Sequence, residues 1–362
     1  MKKIGFLTFG FIFAGCFLGA GYLSGNELMQ FFGDFGIKGV LGMLFSISLI
    51  GVFGVMILYI AKKTNKEKFE DIVFPKSNKV LSNFFGVLQG VLVFAIIVIM
   101  VAGASQLLFD AVDVKPQISA AFFCVITAVI ACTGLGGISK FFSLLVPAVA
   151  VFTMISALIL IIKNGVPDVS STQTVFVNEL LGNPVFAAVT YLSYSIFSSV
   201  GMLSPLVFRQ KTAHTYIFGT LFGTALLIVI ALAILLSVFT VPSSMNAQIP
   251  MFSAISGFGN VFVYFYTVLL FGGMFGTALT SLVSISNYVR LKFNLSKPKT
   301  VSATIIFSVL AYLASLFGFD KLIGTVYPIF GYLGILVLVL ILINFLGLWF
   351  NKRKIVQTNS CK

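Results

Sequence analysis

Gly19-Ala20-Gly21-Tyr22-Leu23-Ser24-Gly25-Asn26-Glu27 sets three glycines, several polar groups and a carboxylate in the middle of an apolar run that extends from about Gly5 to Phe32. A run of that length crosses a bilayer, whose hydrocarbon core of roughly 30 Å takes about 20 helical residues. In hydrocarbon every backbone N–H and C=O must be paired, so chain that tends to unwind is tolerated only where protein or a cavity surrounds it. Glycine lowers the cost of leaving helical dihedrals, and an ionisable group such as Glu27 inside a span is costly enough to imply a function. The stretch reads as a discontinuous first helix whose break forms half of a solute site.

The composition agrees. With 59% hydrophobic and 9% charged residues in 362, and a mean hydropathy of +1.10, the chain has too little polar surface to cover a soluble globule. It reads as an all-α polytopic membrane protein with the lipid bilayer as its first partner. A net charge of +13 could suit a nucleic acid, but the basic residues lie in short runs between spans rather than on one face, which excludes that partner. Apolar runs bounded by charges, Pro, Gly or Asn give ten spans, at about 5–33, 36–61, 80–109, 117–134, 140–162, 184–208, 214–239, 259–289, 300–318 and 322–350. Alternating the loops puts 19 of the 23 basic residues on one side and leaves Lys38, Lys115, Lys163 and Lys321 opposite. By the positive-inside rule both termini are cytoplasmic, as in a multi-pass cell-membrane protein. Met1-Lys2-Lys3 and the box Phe13-Ala14-Gly15-Cys16 resemble a processed leader. Apolar character continues past Cys16 into Phe31-Phe32, so an uncleaved span is expected.

An even split of ten spans places five in each half, and an odd number per half makes the second enter from the opposite face, as an inverted repeat requires. The expected organisation is one transmembrane domain over 1–362, with halves at 5–163 and 184–350 and a cytoplasmic tail at 351–362. The sixth span should then be broken like the first. Asn183-Pro184 opens it, the hydroxyl-rich segment from Tyr191 to Gly201 crosses it, and Ser204-Pro205 closes it. The alternative is a continuous helix whose serines bond back to its own carbonyls. Gly86-x-x-x-Gly90, Gly219-x-x-x-Gly223 and Gly272-x-x-x-Gly276 are expected to mark close helix packing. The mixed-charge loop from Lys62 to Lys79 reads as a solvated connector. His214 begins a span as an interfacial group, and the cysteines show neither a disulfide framework nor metal spacing. No catalytic triad, nucleotide loop or paired carboxylate set appears, so neither an enzyme nor an organic cofactor is expected.

Two broken helices meeting near the midplane expose N–H groups at one end and C=O groups at the other. An amino-acid-like zwitterion suits that pair. Its carboxylate can take N–H groups along Gly19, Ala20, Gly21, Tyr22, Ser24 and Gly25, and its ammonium the carbonyls and hydroxyls of Tyr194, Ser195, Phe197, Ser198 and Ser199. Tyr22, Tyr191, Tyr194 and Phe197 can cover the solute. Glu27, with Ser24 and Gln30 on its helix face, is a candidate for solute binding or proton coupling.

The stretch from Gly19 to Phe32, and more weakly Ala102-Gly103-Ala104, resembles the YkvI-like membrane proteins of the amino acid, polyamine and organocation (APC) transporter superfamily. That resemblance implies a LeuT-type fold of five plus five inverted helices, broken in the first and sixth, that works by alternating access. It implies no substrate. Thr277, Thr280 and Ser281 share one face of the eighth span by i, i+3, i+4 spacing. LeuT-type sodium symporters similarly present a carbonyl and two hydroxyls there towards the broken first helix, and a hard cation takes such oxygen ligands. Hydroxyls bonded to the preceding turn are the alternative. The expected function is a symporter for a small organic solute, an amino acid or related amine, driven by sodium or by protons. A nutrient-binding receptor of the spore-germinant type, which binds without transporting, is the other reading.

Overall fold

The apolar runs fold into helices, and in a computed structural model that describes residues 4–74, 79–133, 138–167, 169, 178–210 and 213–360 the first span does not stay continuous. It consists of α1 (Phe6–Gly15), α2 (Ala20–Ser24) and α3 (Asn26–Phe32), after which a 3-10 turn at Gly33–Phe35 leads into α4 (Gly36–Thr64). There follow α5 (Phe69–Val73), α6 (Lys79–Val112), α7 (Pro116–Thr133), α8 (Ile138–Asn164) and α9 (Pro184–Leu203). The chain ends with α10 (Ala213–Thr240), α11 (Pro250–Ile255), α12 (Asn260–Phe293), α13 (Lys297–Ser315) and α14 (Phe319–Ser360). Among the described residues nine helical stretches are long and apolar enough to cross a membrane, the first of them running from Asn26 to Thr64. The broken first span completes the ten that the sequence implies. An even number returns both ends of the chain to one side, called here the terminal side. There an isolated parallel bridge joins Ile4 to Gln210 at the end of the sixth span.

Burial separates centre from periphery. About 67% of the sixth span's most apolar window is buried, against 28% for the fourth and 22% for the ninth, so the sixth lies at the core and the other two face lipid. Glycine pairs set how closely the central helices approach. A Cβ on Gly10 would lie 2.7 Å from the Gly219 carbonyl, and one on Gly223 would lie 2.6 Å from that of Gly10, so the first and seventh spans touch through their backbones. A Cβ on Gly276 would meet the Phe141 ring at 2.7 Å. Of the pair in the third span, Gly86 is closely packed, against Glu70 of α5 and the Tyr288 hydroxyl, whereas Gly90 differs from the expectation and has only Tyr288 within 4 Å. The sixth and tenth spans pack just as tightly, for a Cβ on Gly331 would come within 2.3 Å of Thr190 Cγ2 and 2.7 Å of the Thr190 carbonyl. Gly331→Leu should therefore cost about 1–3 kcal/mol, the usual range for overpacking, and thermal unfolding of the purified protein would show it as a lowered midpoint.

Two expectations need correction. α9 runs without interruption from Pro184 to Leu203, and the change of helix type comes later, in the 3-10 segment Ser204–Arg209. The hydroxyls find partners without unwinding: Ser198 donates to the Ser195 carbonyl and Ser199 to that of Ile196 on the helix's own backbone, while Ser193 is shared between the Thr190 carbonyl and that of Gly331 in the tenth span. The loop after the second span is a solvated connector only in its first half, where Lys62, Lys63 and Asn65 to Lys68 are exposed. Its short α5 buries Phe69, Ile72 and Val73, with Phe69 against Phe197 at 5.6 Å between ring centroids. Ser204 and Asn344 donate to backbone carbonyls of this loop. Lys76 and its neighbours lie outside the described residues.

Candidate functional site

The first span unwinds one turn earlier than its glycines suggest. Cys16 N–H bonds to the carbonyls of Ile12 and Phe13 at 3.1 Å each, and Leu18 N–H reaches back to that of Ala14. Gly19 N–H then closes on the Phe17 carbonyl at 2.9 Å, and Gly19 itself is extended. Helix resumes at Ala20, whose N–H points at Met100 Sδ of the third span, 3.3 Å away. Thr277 of the eighth span donates to the Leu18 carbonyl at 3.4 Å. Neighbouring spans thus supply partners for groups that the break releases, as hydrocarbon requires. A second kink follows at Gly25, where φ of +81° favours glycine. Ser24 steadies it, donating to the Gly21 carbonyl and accepting from Asn26 N–H.

Beyond the kink stands Glu27, only 4% exposed. Tyr194 of the sixth span donates to its Oε1, and the Tyr191 hydroxyl bonds to it as well. Gly21 leaves room for the carboxylate, since a Cβ there would lie 2.8 Å from Oε2. Tyr194 stacks on Tyr327 of the tenth span at 4.5 Å between centroids, with 9° between the planes, and Phe31 covers its edge. A buried carboxyl is retained only where hydrogen bonds offset its desolvation. Here those bonds come from one helix and tie the first span to the sixth.

On the side opposite the termini, α3 is buried from Asn26 to Phe32. Asn26 and Gln30 both donate to Asp320 Oδ1, at 3.0 and 2.9 Å. Asn26 also donates to the Gln248 carbonyl, and Asn178 to Gln30 Oε1 and the Gly324 carbonyl. These bonds lock the first span to the tenth, to the fifth-to-sixth loop and to the α11 loop. Asp320→Ala removes an acceptor shared by two amides. It should raise the reaction of a cysteine placed at Leu28 with an impermeant thiol reagent from that side by at least about tenfold, because bonds to charged groups are worth about 1.5–3 kcal/mol each.

The terminal side is open. A cavity of about 760 Å³ enters between Glu67–Asp71 and Lys292 and reaches Gly15 and Cys16 at the break. Thr277 and Thr280, Gly201 and Met202, and Gln89 also line it. Thr280 Oγ1 bonds back to the Gly276 and Thr277 carbonyls at 2.9 Å, whereas Ser281 Oγ is fully buried with no partner among the described residues.

The structure thus joins Glu27, Gly21, Tyr191 and Tyr194, but places other expected residues elsewhere. The Tyr22 hydroxyl turns to the Leu227 carbonyl of the seventh span. Phe197 packs on Phe69 and Phe330. The Ser198 and Ser199 hydroxyls engage their own helix, at the carbonyls of Ser195 and Ile196, and Gln30 joins the Asp320 lock rather than Glu27. The open cavity ends at Cys16 and Gly201, a turn short of the expected contacts. Gln89 was missed, although an amide inside the third span, between Asn83 and Gln106, was the available signal. Tyr327 was missed because nothing local marks it.

MhsT, solved in complex with L-phenylalanine, superposes with a TM-score of 0.69 at 18% identity, covering 93% of this chain and 88% of its own. The fold is the LeuT type. A variant of the Eremococcus coleocola manganese transporter shares this LeuT-type fold with a TM-score of 0.57 at 13% identity, over 90% of this chain and 77% of that one. In sequence, the chain is 24% identical to the Bacillus subtilis membrane protein YkvI over 325 residues, 90% of this chain and 92% of YkvI. It is 25% identical to YyaD of the same organism over 338 residues, 91% and 94% of the two chains. These relatives agree with the resemblance read from Gly19 to Phe32. No family model matches.

Proposed function

We propose that the chain is a secondary active transporter for an amino acid or related amine, coupled to sodium and working by alternating access. The observation that carries this reading is the asymmetry of access: a cavity of about 760 Å³ runs from the terminal side to the break, while the Asp320 lock closes the other end. That is the shape of one half of an alternating-access cycle, and the 19 to 4 split of basic residues makes its open side cytoplasmic. The Ala20 N–H, which points at Met100 Sδ, would turn to a carboxylate, and Glu27 with its tyrosines would offer a site for an ammonium once the aromatic cluster parts. The L-phenylalanine bound by MhsT favours an amino acid.

Sodium is favoured over protons by the unpaired, fully buried Ser281 hydroxyl. Ser281, Thr280 and the Thr277 carbonyl would hold the ion against carbonyls of the break, and its charge would draw the first and eighth spans together. Glu27 as a proton carrier is the rival. The deciding experiment is flux into proteoliposomes, with amino acids and amines tested in sodium and in choline at constant pH. Uptake that needs a sodium gradient supports the proposal. Binding without flux would make the protein a receptor, and flux indifferent to sodium would move the coupling to protons.

A further inference from the structure

Between the third, eighth and ninth spans, a second cavity of about 380 Å³ opens on the lipid-facing surface. Its walls are apolar apart from Tyr288 and Lys292. Val91 and Leu310 at its rim are about half exposed, at 49% and 47%, and so are available to the bilayer. Four residues, Gly90, Ile285, Tyr288 and Lys292, line both this groove and the central cavity. Gly90 contributes no side chain to the partition, and the nearest atom to a Cβ built there is Tyr288 Cε1 at 3.9 Å. The wall between bilayer and cavity is therefore thin at Gly90 and rests on the Tyr288 ring.

The groove is also charged at one end. Lys292 donates to the Tyr288 hydroxyl at 3.1 Å, which holds its ammonium at the terminal-side mouth. Arg290, Lys297 and Lys299 lie close in sequence, and the acidic groups that share Lys292's surroundings, Glu67, Glu70 and Asp71, line the central cavity and not the groove. An apolar slot that ends at cations near the helix terminus matches a molecule with a hydrocarbon tail and an anionic head. We infer that the groove holds one acyl chain of an anionic phospholipid, with its phosphate on Lys292 and its chain completing the side wall of the central cavity at Gly90. The cavity then has a lipid as one of its walls, and bilayer composition becomes a control on its shape.

The test is native mass spectrometry of the full chain in detergent, supplied with phosphatidylglycerol and phosphatidylcholine of matched acyl chains. One phosphatidylglycerol should be retained in preference. Lys292→Gln, at an exposed position, should lower that preference about fivefold, the share of one near-surface cation. Leu310→Trp fills the groove from the lipid side, away from the central cavity, and should reduce retention of the same molecule. Inorganic phosphate at equal concentration should not displace it. Equal retention of the two lipids overturns the inference, as does displacement by phosphate, or a phosphatidylglycerol preference that survives either substitution in a protein of unchanged thermal midpoint.

Discussion

Glu27→Gln is expected to lower solute uptake in proteoliposomes by roughly ten- to hundredfold while the protein stays folded. Glutamine keeps the shape of the side chain and can still accept one tyrosine hydroxyl, but it cannot ionise, and an amide nitrogen replaces one oxygen of the carboxyl that Tyr191 and Tyr194 bond. A buried hydrogen-bonding group left without its partner costs about 1–3 kcal/mol, and each 1.4 kcal/mol is a factor of ten. Because those bonds tie the first span to the sixth, losing one changes how the two move together and not only how one helix packs. Tyr194→Phe removes the other half of the contact and should give a loss in the same direction. A double variant no worse than either single one would show that both act through that one bond. Unchanged uptake and unchanged pH dependence in Glu27→Gln would leave the carboxyl a packing role only.

Replacing Thr280 and Ser281 together by alanine should abolish sodium stimulation of solute binding, a loss of about 5- to 150-fold if the coupling free energy is the usual 1–3 kcal/mol. The ion would bridge the eighth span and the break in the first, so its binding and that of the solute should raise each other's affinity by the same factor. Stability points the same way. Ser281 Oγ is buried and unpaired, so removing it also removes an unsatisfied group whose burial costs about 1–3 kcal/mol. The double variant is therefore expected to unfold at a temperature no lower than the parent in choline, and to lose the stabilisation that sodium brings to the parent. A sodium-dependent rise in thermal midpoint that persists in the double variant would place the ion elsewhere.

The residues explain why some of this was legible and some was not. Glu27 stood out because a carboxylate in an apolar span has to be accounted for locally, by partners or by a function. Tyr327 did not stand out, since a tyrosine in a span is ordinary until the tenth helix lays it on Tyr194 at 4.5 Å. The position of the break was misjudged by a turn. Glycines make unwinding cheap, yet where it occurs depends on which neighbours can take the released groups, and Met100 and Thr277 do so around Leu18 to Ala20. The serines of the sixth span misled for the converse reason: a hydroxyl can pair freed backbone or its own helix, and here Ser198 and Ser199 chose the helix.

By itself the sequence determined the fold class, the ten spans and the presence of a carboxyl, Glu27, inside the first span, because hydrocarbon enforces span length and makes every ionisable group within a span conspicuous along the chain. Tertiary packing alone decided that the sixth helix is continuous, that α5 plugs into the bundle, and that the cavity opens on the terminal side while Asp320 closes the other. Those features depend on which helix meets which. Partners such as Gly331 with Thr190, or Asn26 with Asp320, lie 141 and 294 positions apart, a separation at which no local pattern of residues constrains the pairing.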